Sequence, residues 1–378
     1  MDDNYEIING KKYKKCKENQ IRNPITRRCV YIDKKTAKNI LNSEGPRYIL
    51  KYVKKREVKK KINFIENRIN IYKKINSNIG DKIILGGNII LGNNVNYGNG
   101  NIYISNLKKI PKYLFASRID INSKIVENEI NYFKILTDAV LNNRCIHFPL
   151  LYGQTDIVLK KDELNLLPKM MKIENNKMYK ILFMELADGN LRNFINDMSK
   201  TDIIYLNALS QIFMSIMFFY KETNCFHNNS IWEKFTYIKV EKGGYFHYEI
   251  MGNNYYIENL GYVWMICDYD KSIDFTKSIE KYITLKIDFE KIIYSFLPLK
   301  YNGKIKEDRY KMSKISTDKI LKILFEVKNY VDHYSHIGMN IFLNKILKSL
   351  VKNEFIKTSI NHSMVINKIP YKINSNQL

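Results

Sequence analysis

The stretch Cys225–Asp268 decides the fold of this chain: it contains CFHNNSIWEKFTYIKV at 225–240, GGYFHYEI at 243–250 and NYYIENLGYVWMIC at 254–267. A polar loop around His227 is followed by runs of aromatic and β-branched residues, which are typical of strands. The last run ends at the acidic turn that begins with Asp268. This order predicts a polar loop, a long hairpin and an acidic turn.

The pattern of apolar residues predicts strands in the first half of the chain and helices in the second. Residues 122–141 and 203–223 have helical spacing, 179–185 predict a strand, and IDFEKIIYSF, LKILFEVKNYV and MNIFLNKILKSLV after residue 280 are again helical. Strand-rich and helix-rich halves in this order predict an α+β fold with two lobes. We expect this domain to span residues 81–365 and a flexible tail to occupy 366–378.

Positive charge is concentrated at the start of the chain. The net charge is +24, and residues 1–61 contribute about half of it. Such a block predicts weak contact with nucleic acid or an anionic surface, and the alternative is a solvated basic surface in a lysine-rich chain. Within the basic linker at residues 45–80, the helical spacing of Ile65, Ile69 and Tyr72 predicts a helix docked on the next domain.

The sequence predicts no transmembrane segment. The longest apolar run, Ile212–Phe219, is interrupted by Ser215 and is far shorter than the roughly 20 residues that a membrane span needs. The first residues, MDDNYEIING, are acidic and polar, unlike a signal peptide. We therefore expect a soluble intracellular protein.

Two of the five cysteines belong to a short motif. Cys16 and Cys29 flank the turn at Asn23-Pro24, and the motif itself consists of Arg22, Asn23, Pro24, Thr26, Arg28, Cys29 and Val30. It resembles the two-cysteine adaptor module of large cytoplasmic DNA viruses, here residues 1–44. The resemblance implies an element that binds viral or host proteins, and the alternative is a basic turn with two incidental cysteines. The other cysteines, Cys145, Cys225 and Cys267, have apolar neighbours and predict inert core thiols.

The opening stretch carries a second resemblance. Its characteristic residues are His227-Asn228-Asn229, Trp232, Phe235, Tyr237, Gly243–Tyr248, Trp264 and Asp268. In this order they resemble the divergent serine/threonine protein kinases of large DNA viruses, of the iridovirus and ascovirus type. The resemblance implies a protein-kinase-like fold with a small β-rich lobe and a helical lobe, and ATP and Mg²⁺ as cofactors.

The resemblance also implies where a nucleotide would bind. Gly100 and Ile102 would end the glycine loop, although a glycine-rich hairpin without phosphate is the alternative. Arg118 takes the place of the phosphate-binding lysine; its partner would be Glu129, with Glu127 as a rival, and a plain surface ion pair is the alternative. The hinge that would receive adenine is formed by Met184, Glu185 and Ala187.

The catalytic loop departs from the kinase pattern at two positions. His227 is present, but the position of the catalytic base is Asn229, whose amide cannot accept the substrate proton. The position of a metal-binding Asn is Lys234, whose ammonium has the same sign of charge as Mg²⁺. Asp268 remains as a metal ligand, and Lys234 could pair with Asp268 or Asp270.

We expect Asp288 to open a helix and brace the catalytic loop, with a plain helix N-cap as the alternative. The predicted function is that of a viral serine/threonine kinase homologue with degenerate catalysis, a pseudokinase or scaffold in the host cytoplasm, the viral factory or the virion. The alternatives are an active, unconventional ATP-dependent kinase and a basic module that binds nucleic acid or the virion.

Overall fold

The computed structural model describes residues 5–8, 11–14, 16, 20–22, 29–31, 63–79, 89–94, 102–158, 177–195, 201–275, 281–296, 318–334, 339–353 and 356–374. The chain divides into two compact units, Met1–Lys59 and Lys60–Leu378. The glycine loop around Gly100 and most of the basic block at 1–61 lie outside the described residues.

The first unit contains two short antiparallel strand pairs. Strands β1 (Tyr5–Ile8) and β2 (Lys11–Lys14) form one pair, and β3 (Gln20–Arg22) and β4 (Cys29–Tyr31) form the other. Cys16 and Cys29 are joined by a disulfide, with their Cα atoms 5.5 Å apart.

The second unit begins with a helix and a sheet. Helix α1 (Asn63–Ile79) precedes β5 (Ile89–Asn94), β6 (Ile102–Leu107), β7 (Leu114–Ile121), α2 (Lys124–Leu141), β8 (Leu151–Val158) and β9 (Met178–Met184). The strands form one antiparallel sheet in the order β5-β6-β7-β9-β8. Both α1 and α2 pack on it, so the helix expected in the linker is docked on this sheet.

Helix α2 positions one of the candidate site residues. Its N-cap is Ser123, whose hydroxyl accepts a hydrogen bond from the Val126 N–H, which satisfies one of the free donors of the first turn. The apolar face then buries Ile130, Phe133 and Leu136 against the rest of the unit. The same face carries Glu129, which is therefore buried next to the sheet.

The following segments form the rest of the core. They are β10 (Gly189–Asn190), α3 (Leu191–Ile195), α4 (Asp202–Thr223), β11 (Cys225–Phe226), β12 (Phe235–Lys239), β13 (Tyr245–Ile250), β14 (Asn253–Glu258), β15 (Tyr262–Ile266), β16 (Ile273–Asp274), α5 (Lys281–Phe296), α6 (Asp318–Tyr334) and α7 (Met339–Lys352). The three helices expected after residue 280 are confirmed. The prediction of an α+β fold is also confirmed.

Helix α4 is the central helix of this part. Most of its side chains are fully buried, including Phe213, Met217 and Phe218. Its segment Ile203–Thr223 is long and apolar enough to cross a membrane, with a mean hydropathy of 1.6, but 89% of the tested window is buried inside the protein. The core helix of a soluble protein meets the same criteria, so this is weak evidence for a membrane span.

The segment expected to be a flexible tail, 366–378, contains a strand instead. Strand β17 (Tyr371–Ile373) pairs in parallel with Tyr248–Ile250 of β13. Tyr371 and Ile373 are buried in the core. The expectation of a tail failed because three residues are too few to show an alternating pattern, and their partner strand lies more than a hundred residues earlier.

Candidate functional site

A cleft of about 340 Å³ lies between the five-stranded sheet, α2 and the loop that precedes β12. Nine of the residues expected at the site line it: Ile102, Arg118, Glu129, Met184, Glu185, Ala187, Asn229, Lys234 and Asp268. The volume falls in the range of about 300–1,000 Å³ that is common for small-molecule sites. Sequence positions that span more than 160 residues therefore meet in one cavity. His227 is buried beside it.

Arg118 and Glu129 form the inner ion pair of the cleft. The Arg118 Nη1 donates to Glu129 Oε1 at 2.9 Å, Nη2 donates to Oε2, and Nε donates to Asp120 Oδ2 at 2.6 Å. Glu129 is 1% exposed and Arg118 is 11% exposed, so the alternative of a plain surface pair does not apply. Burial opposes the charge of Arg118, but the Glu129 carboxylate outweighs it and raises the pKa of the guanidinium. The rival, Glu127, is exposed in the first turn of α2.

The segment after β9 closes one end of the cleft through its backbone and side chains. Met184 and Ala187 line the cavity, and the Glu185 N–H donates to the Leu150 carbonyl at 2.8 Å. The Glu185 carboxylate accepts two hydrogen bonds from Arg68 of α1, at 2.7 and 2.6 Å. Glu185 thus fixes this segment to α1 and β8.

Arg68 is a residue that the sequence reasoning missed. It is 6% exposed, and its guanidinium also donates to the Ile146 and Phe148 carbonyls at 3.0 and 2.7 Å. Arg68 occupies a helix position between Ile65 and Tyr72 in the apolar stripe. A charged residue in such a stripe is a signal that could have found it, since a buried arginine needs partners.

Asp288 holds the loop before β12 in place through hydrogen bonds. This carboxylate accepts hydrogen bonds from the His227 N–H at 3.0 Å, the Ser230 hydroxyl at 2.6 Å and the Tyr220 hydroxyl at 3.0 Å. Asp288 braces the loop as expected, but it lies inside α5, which begins at Lys281, and not at the start of a helix. The alternative of a helix N-cap is therefore wrong.

His227 supports the loop and the acidic turn together. Its Nε2 lies 3.1 Å from the Cys267 carbonyl, and its Nδ1 accepts from the Asn229 N–H at 3.3 Å. Burial lowers the pKa of His227 despite the nearby carboxylates of Asp288 and Asp268. The imidazole is thus neutral near pH 7 and acts as a structural link between the two segments. Asn228, which lies between His227 and Asn229 in the loop, has a positive φ of 58°.

Lys234 occupies the outer part of the cleft and forms an ion pair with Asp268. Burial opposes the charge of Lys234, but the Asp268 carboxylate outweighs it and raises the pKa of the ammonium. Burial likewise disfavours the charged form of Asp268, but Lys234 and then Arg118 outweigh it, and its pKa is lowered. Both groups are therefore charged over the whole physiological pH range. Of the two candidate partners, Asp268 and Asp270, Lys234 thus forms its ion pair with Asp268.

Asp270 is the second carboxylate of the acidic turn and also lines the cleft. Burial and then the charge of Asp268 raise its pKa. Asp268 itself has a positive φ of 68°, a conformation that is uncommon for residues other than glycine and that is found often at functional sites. The turn thus holds two carboxylates close to one ammonium.

This donor set does not fit Mg²⁺. The ion prefers six oxygen ligands in octahedral geometry, and here the ammonium of Lys234 occupies one side of Asp268. Among the described residues, there is no group of three or more His, Cys, Asp or Glu side chains that could hold a metal ion. The cleft thus combines three cationic side chains, Arg118, Lys234 and Lys271, with the carboxylates that also line it.

The lining also includes residues that the sequence analysis did not place at the site, among them Lys271 and Cys267. Lys271 follows the acidic turn and adds a cation to the lining. Cys267 also lines the cavity, whereas Cys145 and Cys225 are buried. Cys267 is therefore not a core thiol as expected, but desolvation still raises its pKa to about 12, which disfavours the reactive thiolate at neutral pH.

Comparison with known proteins does not assign the chain to a family. No protein-family model matches it, and no curated protein is significantly similar to it.

Proposed function

We propose that the chain is a homologue of serine/threonine protein kinases with degenerate catalysis, which binds a nucleotide-like ligand in the cleft and acts as a scaffold. The Lys234–Asp268 ion pair carries this proposal, because the resemblance gives position 234 to a metal-binding Asn and an ammonium stands there, paired with the remaining metal-ligand candidate. Asn229 in the position of the base supports the same conclusion, since an amide cannot take up the substrate proton.

The features that favour the kinase lineage lie around this pair. The Arg118–Glu129 pair joins a sheet strand to the adjacent helix, and Met184, Leu186 and Ala187 give the end of β9 an apolar lining. A flat apolar ring suits Met184, Leu186 and Ala187, and the ammonium of Lys271 suits a phosphate chain, since Lys234 is already paired with Asp268. The kinase-like two-lobed fold is part of the proposal.

The first experiment measures nucleotide affinity with and without Mg²⁺. Isothermal titration of ATP into the wild-type chain is expected to give the same affinity with 5 mM Mg²⁺ as with EDTA, within about a factor of three. Lys234→Asn removes the ammonium and restores an oxygen donor, and we expect it to make binding stronger with Mg²⁺ than with EDTA. Binding by the wild type that strictly requires Mg²⁺ would contradict the role given to Lys234.

The second experiment tests for catalysis. Asp270 favours the alternative of an active, unconventional kinase, since its carboxylate lines the cleft and has a raised pKa. We expect no transfer of radiolabelled phosphate from ATP to the chain itself or to a generic protein substrate. Transfer that is present in the wild type and lost in both Asp268→Ala and Asp270→Ala would establish the active kinase instead.

The viral origin, the adaptor and the location belong to the same proposal. The disulfide between Cys16 and Cys29 closes the loop that carries the RNP motif, and such a closed loop suits recognition of a viral or host protein in the host cytoplasm or virion. Deletion of residues 1–61 distinguishes the adaptor proposal from the alternative of a basic module that binds nucleic acid or the virion. A truncated chain that keeps its DNA affinity and the salt dependence of that affinity would exclude the N-terminal block as the binding element.

A further inference from the structure

A second concave surface lies away from the cleft, between α1 and the loop that joins β6 to β7. It is an open groove of about 550 Å³. Its polar lining consists of Asn67, Asn70, Lys73, Lys74, Ser77 and Tyr113. Among the described residues that line it, none carries a carboxylate. We refer to it as the α1 groove.

The residues of α1 that line the groove repeat at helical spacing. Asn67, Asn70, Lys74 and Ser77 follow one another at intervals of three or four residues, which places them on one face of the helix. The ten-residue rise from Asn67 to Ser77 corresponds to about 15 Å. An extended chain of about five residues has this length.

Tyr113 forms the opposite wall, with cations close to it. Lys74 Nζ lies 3.3 Å from the Tyr113 hydroxyl and 5.4 Å from the ring centroid, and Lys112 Nζ lies 5.1 Å from the same centroid. The hydrogen bond from Lys74 lowers the pKa of Tyr113, and the charge of Lys112 adds to this. The groove therefore concentrates positive potential that no carboxylate in its lining neutralises.

We propose that the α1 groove binds an extended peptide segment with acidic or phosphorylated side chains. The ammoniums of Lys73 and Lys74 would pair with the anionic side chains, and the amides of Asn67 and Asn70 both donate and accept, as a peptide backbone requires. A single-stranded nucleic acid fits less well. Its bases need a free aromatic face for stacking, and Lys74 and Lys112 already lie against the single ring of the groove. This site is independent of the function proposed for the cleft.

Fluorescence anisotropy with the full-length chain tests the proposal. The probes are a labelled hexaglutamate peptide, a labelled peptide with three phosphoserines and a labelled six-nucleotide oligothymidine. The test variant is Lys73→Gln/Lys74→Gln. The matched control is Lys124→Gln/Lys134→Gln on α2, which removes the same charge from two exposed lysines elsewhere.

We expect the groove variant to bind both peptides about fivefold to tenfold more weakly, as the loss of two solvent-exposed ion pairs predicts. The control is expected to change affinity less than twofold. An equal loss in both variants, or no loss in either, would overturn the proposal. Oligothymidine binding that depends on the groove, with peptide binding that does not, would overturn it in favour of nucleic acid.

A footprint gives a second readout on the wild-type protein, which no folding defect of a variant can affect. Acetic anhydride modifies exposed lysines, and mass spectrometry follows each site. Hexaglutamate is expected to slow the modification of Lys73 and Lys74 at least threefold relative to Lys124 and Lys134. Equal protection of all four lysines would show that the peptide binds through general charge attraction and would refute the groove.

Discussion

Replacing Arg68 tests whether α1 is an integral part of the cleft-bearing unit. In Arg68→Met the methylene volume is largely kept, but the Glu185 carboxylate loses both hydrogen bonds from the guanidinium and the Ile146 and Phe148 carbonyls lose theirs. Removing one partner of a buried, fully hydrogen-bonded pair costs about 3–5 kcal/mol, chiefly because the other charge remains buried. We expect a loss of this size in the free energy of unfolding.

The assay is urea denaturation followed by circular dichroism and by tryptophan fluorescence. Arg192→Met is the matched control, since Arg192 pairs with Glu233 but is 52% exposed, and an exposed pair contributes at most about 1 kcal/mol. Arg68→Met/Glu185→Gln removes the buried charge as well and should recover at least about 1 kcal/mol relative to Arg68→Met. A loss in Arg68→Met no larger than in Arg192→Met would refute the reasoning.

Three further predictions concern the cleft. Asp288→Asn should lower the free energy of unfolding, measured by urea denaturation, by about 2–4 kcal/mol, because a neutral amide replaces a buried carboxylate that accepts three hydrogen bonds. Asp332→Asn, at a partly exposed position of α6, should lower it by less than about 1 kcal/mol. The Lys234–Asp268 pair should stabilise the fold above the unfolded pKa of Asp268, and its contribution should fall only when acid titrates Asp268 below pH 3.8 or base titrates Lys234 above pH 10.5. Lys234→Met should therefore flatten both ends of the curve of unfolding free energy against pH. A wild-type curve that is already flat at both ends would contradict the pair. Cys267 should resist iodoacetamide at pH 7.5 for hours in the folded protein and react within minutes in urea, and rapid labelling of the native chain would show that its pKa is not raised to about 12.

The site residues that the sequence predicted belong to several short motifs along the chain. The 227–234 loop and the 268–270 turn follow one another along the chain, and strand pairing between β12 and β15 brings Lys234 next to Asp268. The pairing of Arg118 with Glu129 spans only eleven positions, from a strand to the helix that follows it. Short range in sequence made these contacts predictable.

The parts that escaped depend on contacts between distant segments. Arg68 meets Glu185 across 117 positions, and β17 pairs with β13 although it has only three residues. Asp288 was expected at a helix start because the resemblance implied it, but α5 begins seven residues earlier, at Lys281. Burial of a single charge, or of a three-residue strand, is decided by its tertiary partner and leaves only a weak pattern in the sequence.

The cleft is assembled by its own ion pairs. Glu129 accepts hydrogen bonds from Arg118 of β7 and, through Oε1, from the Tyr269 N–H of the acidic turn at 3.2 Å. One buried carboxylate therefore joins the sheet, α2 and the turn that presents Asp268, and Lys234 then ties that turn to the loop before β12. Because these contacts join three segments of the chain to one another, a ligand would enter a site whose walls are already linked, and the entropy cost of ordering them on binding would be small. A scaffold needs such permanence, whereas a kinase that exchanges Mg²⁺ and nucleotide at every turnover would have to break the Lys234–Asp268 pair each time.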